Sequence, residues 1–196
     1  MRTVLLAILI LTTALLSAQN IKIDEAGKSP VEAKFAPGGD VDLDLCSGAV
    51  VLKGVDENIL RISYNSEHYR TTQVKVRLET TASRAKIEVT GCPHNDFEMT
   101  IEVPKSSSLY LRMFAGDLEV WGITGNKDVQ LHTGQLMIDM GDPASYARVD
   151  ASVTTGEINA SPFEVSKGGL FRSFERDGPG RYRLRAHVGA GELDLR

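Results

Sequence analysis

Apolar and polar residues alternate with a period of two through most of this chain. In "FEMTIEV" (97–103), Phe97, Met99, Ile101 and Val103 fall on one side and Glu98, Thr100 and Glu102 on the other. That is the pattern of a half-buried strand. "VDLDL" (41–45) and "VKVRL" (74–78) alternate in the same way. Beyond the first eighteen residues no long stretch places apolar residues at i, i+3, i+4 and i+7, so amphipathic helices are not expected. The pattern predicts an all-β protein.

Shorter signals punctuate the strands. "QVKVRLE" and "RAKIEV" flank "TTAS" (80–83), which predicts an antiparallel hairpin. Pro104 should end the strand that "FEMTIEVP" begins, because proline donates no ladder hydrogen bond. Asp40, Asp42 and Asp44 share one side of their strand; a calcium site is conceivable there, and a solvated face is the reading preferred.

One phrase recurs: glycine, a polar residue, then apolar residues two and four after the glycine. It reads "AGDLEV" at 115–120, "TGQLMID" at 133–139, "TGEINA" at 155–160 and "AGELDL" at 190–195. Its inward residues are Leu118 and Val120, Leu136 and Ile138, Ile158 and Ala160, Leu193 and Leu195. The heading glycines, Gly116, Gly134, Gly156 and Gly191, permit a positive φ or a close backbone approach, so that the chain can turn a corner. They are spaced by 18, 22 and 35 residues. The first two intervals fit one turn of a β-solenoid, whose inward side chains stack into one core. The third fits nearly two turns, with "GGLFRSFERDGPGRYRLRA" as an intermediate rung. A β-sandwich would also alternate, but would not repeat this phrase at rung-sized intervals.

The chain begins "MRTVLLAILILTTALLSA", one positive charge followed by an apolar run and small residues. Residues 1–18 are expected to be a secretory signal peptide cleaved near Ala18. The alternative is an uncleaved anchor, for which the run falls short of the roughly 20 residues a span requires. Cleavage would leave about 178 residues with no second hydrophobic span. They divide into an N-terminal β half (19–107), sandwich- or hairpin-like, and rungs over 108–196, expected as one continuous domain. Net charge is −4 and the pI near 5.6, which argues against a general nucleic-acid binder. Cys46 and Cys92 are the only cysteines. In an exported protein they are expected to form a disulfide; the alternative is two buried thiols.

The stretch "EVPKSSSLYLRMFAGDLEVWGITGNKDVQLHTGQLMID", followed by "VDASVTTGEINA", resembles the bacterial putative-adhesin or toast-rack domains. The resemblance rests on the "VP" at Val103–Pro104, on Gly116, Gly134, Gly156 and Gly191, and on the corner glycines Gly122 and Gly125. It covers roughly residues 35–196. It implies a right-handed β-solenoid (a single-stranded, β-helix-like coil) and an envelope setting, and it carries over no catalytic residue.

Candidate chemistry is thin. His68, His94, His132 and His187 show no metal-ligand spacing. Nucleophile-elbow, P-loop and dinucleotide signatures are absent. Asp117, Glu157 and Glu192 recur because the repeat recurs, so they are weak evidence for an active site. Trp121, next to Gly122, is expected to be a packed corner residue. In "RYRLR", Arg181, Arg183 and Arg185 alternate along a strand, so their guanidinium groups share a face suited to an anionic glycan or an acidic partner. A solvated face paired with rung acids such as Glu157 or Glu192 is the reading preferred. The closing strand "GELDLR" is expected to be the open edge of the stack, either docking a second copy or an envelope partner, or left bare and kept from pairing by the charges of Glu192, Asp194 and Arg196.

The expected function is therefore a non-catalytic binding, adhesion or structural module at the periplasm, cell surface or outside the cell. Its partner would be an envelope protein or a glycan. No catalytic residue, metal or cofactor is expected. The alternative is an exported polysaccharide lyase or hydrolase on a β-helix scaffold.

Overall fold

Inward-facing residues mostly step by two along the long strands, but four of those strands each contain one step of five. Met113 is followed inward by Leu118, Leu131 by Leu136, Val153 by Ile158 and Val188 by Leu193, all buried. An unbroken strand cannot change parity; each of these bends at the glycine between, which turns the chain and resets which residues face in. A computed structural model describes residues 21–66, 73–93 and 96–196. Residues 1–18, expected to be a signal peptide, and His68 and His94 lie outside the described residues.

All regular structure there is strand, apart from short 3-10 turns. Four long strands carry the glycine phrase: β9 (Ser108–Trp121), β10 (Lys127–Ile138), β11 (Tyr146–Ala160) and β13 (Tyr182–Leu195). Each glycine lies inside a continuous strand and divides it into a first and a second arm; it does not head a separate strand. Only residues 122–126 join β9 to β10, its parallel neighbour. Five residues reach about 20 Å, whereas a straight 14-residue strand would be about 45 Å long. The second arm must therefore fold back over the first, and the core lies between the two arms.

The N-terminal region supplies the same shape from paired strands. β3 (Asp40–Leu45) runs parallel to the first arm of β9, and β4 (Gly48–Val55) to its second arm, with Gly48 opposite Gly116. Inward residues again step by five, from Leu45 to Val50. β7 (Arg84–Thr90) and β8 (Phe97–Pro104) pair parallel with β3 and β4. Antiparallel strands complete this end. β6 (Lys75–Thr80) forms the hairpin with β7, and β1 (Ile21–Ala26) pairs with β6. β5 (Ile59–Ser66) pairs with β8, and β2 (Val31–Lys34) with β5. Cys46, between β3 and β4, is disulfide-bonded to Cys92, which follows β7. The bond links two adjacent corners.

The glycines align in register, Gly48–Gly116–Gly134–Gly191–Gly156, and this order is not the order of the sequence. After β11 the chain forms β12 (Val165–Asp177), antiparallel to β11, and then returns to insert β13 between β10 and β11. Two expectations are corrected here. "GGLFRSFERDGPGRYRLRA" is not an intermediate rung: it supplies an antiparallel outer strand and the return to β13. "GELDLR" is not an open edge, because Leu195 pairs with both Ile138 and Ala160.

The outer strand at this end is β12. Its residues opposite the inward row of β11 are Val165, Lys167, Arg172, Phe174 and Arg176. Three of the five are cations. Charges at inward positions of a terminal strand discourage another strand from adding, so β12 closes the end that β13 was expected to leave open.

Candidate functional site

Because the strands are in register at their glycines, their outward residues form cross-strand rows. On the first arms one row runs Asp42, Tyr110, Asp128, Arg185, Asp150. The next runs Asp44, Arg112, Gln130, His187, Ser152. The second arms differ: Asp117, Gln135, Glu192 and Glu157 stand side by side there. The recurring carboxylates Asp117, Glu157 and Glu192 thus occupy the opposite face from the arginine stripe. The expected pairing of the stripe with Glu157 or Glu192 is corrected.

Arg181, Arg183 and Arg185 line one cavity of about 610 Å³, together with Arg148, Asp128 and Asp150. Leu184 between them is buried, as alternation requires. Arg148 comes from β11 and is saturated with acid. Its Nε lies 3.0 Å from Asp150 Oδ2, and its Nη atoms lie 2.6 Å from Glu175 Oε2 and 3.1 Å from Asp177 Oδ1. Asp150 first, then Glu175 and Asp177, hold this guanidinium protonated above its ordinary range. The other three are less engaged. Arg185 is 4.0 Å from Asp128, at the limit of an ion pair. Arg181 lies over the Tyr182 ring, 4.6 Å from its centroid, and donates to the Tyr182 hydroxyl. The Arg183 main-chain N–H donates to Asn126 Oδ1 at 2.9 Å, and among the described residues its guanidinium has no acidic partner.

A second depression on the same face is about 360 Å³ and is lined by Asp44, Arg112, Phe114, Gln130, His132 and His187 over Leu45, Met113 and Leu131. Phe114 is 66% exposed. It stacks on His132 with ring centroids 5.1 Å apart and planes 19° from parallel. Among the described residues no group of three or more His, Cys, Asp or Glu is arranged to hold a metal ion. Asp40, Asp42 and Asp44 stand outward on β3, and Asp44 lies 3.7 Å from Arg112. Trp121 is not packed into its corner: it is 37% exposed, and its indole N–H donates to Glu119 at 2.9 Å.

Arg148, Asp128 and Phe114 escaped the sequence reading because each stands alone in its own segment, and His132 enters it only as a histidine without metal-ligand spacing. The signal that could have found them is the offset from the rung glycine. Arg148 and Arg183 both lie eight residues before theirs, and Asp128 and Arg185 both lie six before theirs.

No family model matches the chain, and no curated protein does. Among solved structures the chain is similar to a "putative cell adhesion protein" from Clostridium sporogenes, with a TM-score of 0.53 and 13% identity over 90% of this chain and 99% of that one. At that identity the likeness is one of fold. That fold is all-β, and no helix among the described residues is long and apolar enough to cross a membrane.

Proposed function

We propose that this protein is an exported, non-catalytic binding or adhesion module of the cell envelope, built as a right-handed β-solenoid in one continuous domain. It binds an anionic ligand on the outward face of its first arms. The observation that carries this reading is the gathering of Arg181, Arg183 and Arg185 around one cavity, with Arg183 free of any acidic partner among the described residues. Guanidinium groups in such an array match carboxylate or phosphate geometry. The acid-saturated Arg148 borders them as a fixed wall. The fold of the structural neighbour, and its name as an adhesion protein rather than an enzyme, agree with a surface role.

The test is a pull-down from envelope extract with the mature protein, with bound glycans and proteins both identified, at low and high salt. Neutralising all three arginines should abolish the salt-sensitive binding; unchanged binding overturns the reading. Cell fractionation with N-terminal mapping tests export, which requires a mature end near Gln19.

A further inference from the structure

The depression beside the Phe114–His132 pair lies one row from the arginine cavity and has a different chemistry. Phe114 is a large apolar ring left two-thirds in solvent, yet its orientation is fixed by the stack on His132. In the row of residues two before each rung glycine, Phe114 and His132 are followed by Gly189 and then Thr154. Gly189 leaves a notch beside the slab. It is also the residue the backbone requires, because a Cβ there would lie 2.4 Å from the His132 carbonyl oxygen.

Around the slab stand polar side chains that are mostly planar and only partly engaged. Arg112 is held over the Tyr110 ring at 5.2 Å and lies 3.7 Å from Asp44. Gln130 makes one long contact, 3.4 Å to Asp128. His187 uses Nδ1 with the Ser152 hydroxyl at 2.9 Å, and its Nε2 has no partner among the described residues. The set therefore combines an exposed ring, a carboxylate acceptor, guanidinium donors, an amide offering both, and an imidazole nitrogen.

We infer that this depression is a pyranose subsite: the C–H face of a sugar ring lies on Phe114, and its hydroxyls bond to Asp44, Arg112, Gln130 and His187. The two halves of the chemistry match the two faces of a pyranose. A sugar ring needs an apolar platform for its C–H bonds and mixed donors and acceptors for its hydroxyls. A lone anion would have no use for the ring or for Asp44. A peptide strand would require an open sheet edge, and β3, β9, β10 and β13 are all paired on both sides. The cavity volume suits one or two rings of a larger glycan, at the small end of ligand pockets. This goes beyond the arginine cavity and stands or falls separately from it.

The test is saturation-transfer NMR on the folded mature protein with methyl β-glucoside, methyl β-galactoside and N-acetylglucosamine. Wild type should saturate the ring C–H protons of at least one of them, and the imidazole resonances of His132 should shift on titration. Phe114→Ala should weaken that binding roughly tenfold, since an aromatic platform contributes stacking beyond its buried area. Phe114→Tyr should restore it. Neutralising Arg181, Arg183 and Arg185 should leave it intact. Phe114 is exposed, so its replacement should not disturb folding; an unchanged thermal midpoint verifies this. Saturation of none of the three sugars, or equal saturation with Phe114→Ala, overturns the inference. Either result would leave anion binding at the arginines untouched.

Discussion

The ammonium group of Lys127 donates to the Tyr146 hydroxyl inside the core, and Tyr146 in turn donates to the Met140 carbonyl at 3.1 Å. Lys127 is 2% exposed and stands in register between Leu109 and Leu184, where its neighbours are aliphatic. Burial lowers its pKa from 10.5 to about 8, partly offset by Asp139. Burial, and then the Asp139 charge, raises that of Tyr146 from 10.0 to about 12.

These shifts set a pH dependence. Between about 8 and 10.5 the unfolded chain holds a proton at Lys127 that the folded chain has released, so stability should rise with pH across that window. From about 10 to 12 the folded chain keeps the Tyr146 proton that the unfolded chain loses, so stability should fall. Lys127→Leu should raise the unfolding free energy at pH 7 by on the order of 1–3 kcal/mol, and with it the urea midpoint, and remove the rise. Urea melts from pH 7 to 11 check both; a midpoint lowered by Lys127→Leu would show that the ammonium stabilises the core.

The corner glycines should be irreplaceable for a reason beyond φ. A Cβ on Gly191 would lie 1.8 Å from the Gly134 carbonyl oxygen, and one on Gly156 would lie 1.7 Å from that of Gly191. Gly191→Ala should cost more than about 4 kcal/mol, or prevent folding. Gly141→Ala meets nothing within 4 Å at φ +64° and should cost only the left-handed penalty, about 1–2 kcal/mol. Equal melting temperatures for the two variants would refute the stack.

Leu136 and Gln135 are sequence neighbours facing opposite ways. Leu136→Asp would bury a carboxylate among Leu118 and Leu193, its register partners, at a cost of several kcal/mol. Gln135→Lys would place a cation between Asp117 and Glu192 and should be neutral to slightly stabilising at low salt. Thermal melts of both variants decide it.

The Cys46–Cys92 bond closes a 46-residue separation, for which the chain-entropy relation gives about 4 kcal/mol. Non-reduced peptide mapping should recover the linked pair, and Cys46→Ser with Cys92→Ser should unfold at correspondingly lower denaturant. Alkylation of both thiols in the unreduced protein would exclude the bond.

The insertion of β13 predicts intolerance at the C-terminus. Asp194 lies between Met137 and Asn159 in the ladder, so Asp194→Pro should destabilise the monomer itself, because the missing N–H falls within a central strand. Deleting residues 191–196 should abolish soluble expression. A stable truncated protein would mean that β13 is dispensable.

The sequence by itself determined the class of element, the facing of most side chains and the corner positions. Alternation in "FEMTIEV" marks Phe97, Met99, Ile101 and Val103 as buried because successive strand side chains point to opposite faces. The rung phrase locates Gly116, Gly134, Gly156 and Gly191 because no other residue fits there. Even the rows of the outward face follow from counting back from each glycine. Which row neighbours which was decided only by the tertiary structure. Residues 156 and 191 head consecutive copies of the phrase, but Gly191 stacks on Gly134, and Gly156 lies beyond it. Every rung offers the same backbone ladder and the same aliphatic interior, so local pattern does not distinguish a chain that adds its last strand at the end from one that inserts it. The choice rests on β12: Lys167, Arg172 and Arg176, exposed opposite the inward row of β11, suit it to the end of the stack. The inward row of β13, Leu184, Ala186, Val188, Leu193 and Leu195, is neutral and aliphatic and suits the middle. That placement brings Arg183 beside Arg148, and His187 beside Gln130, so the candidate ligand face exists only in the folded order of the strands.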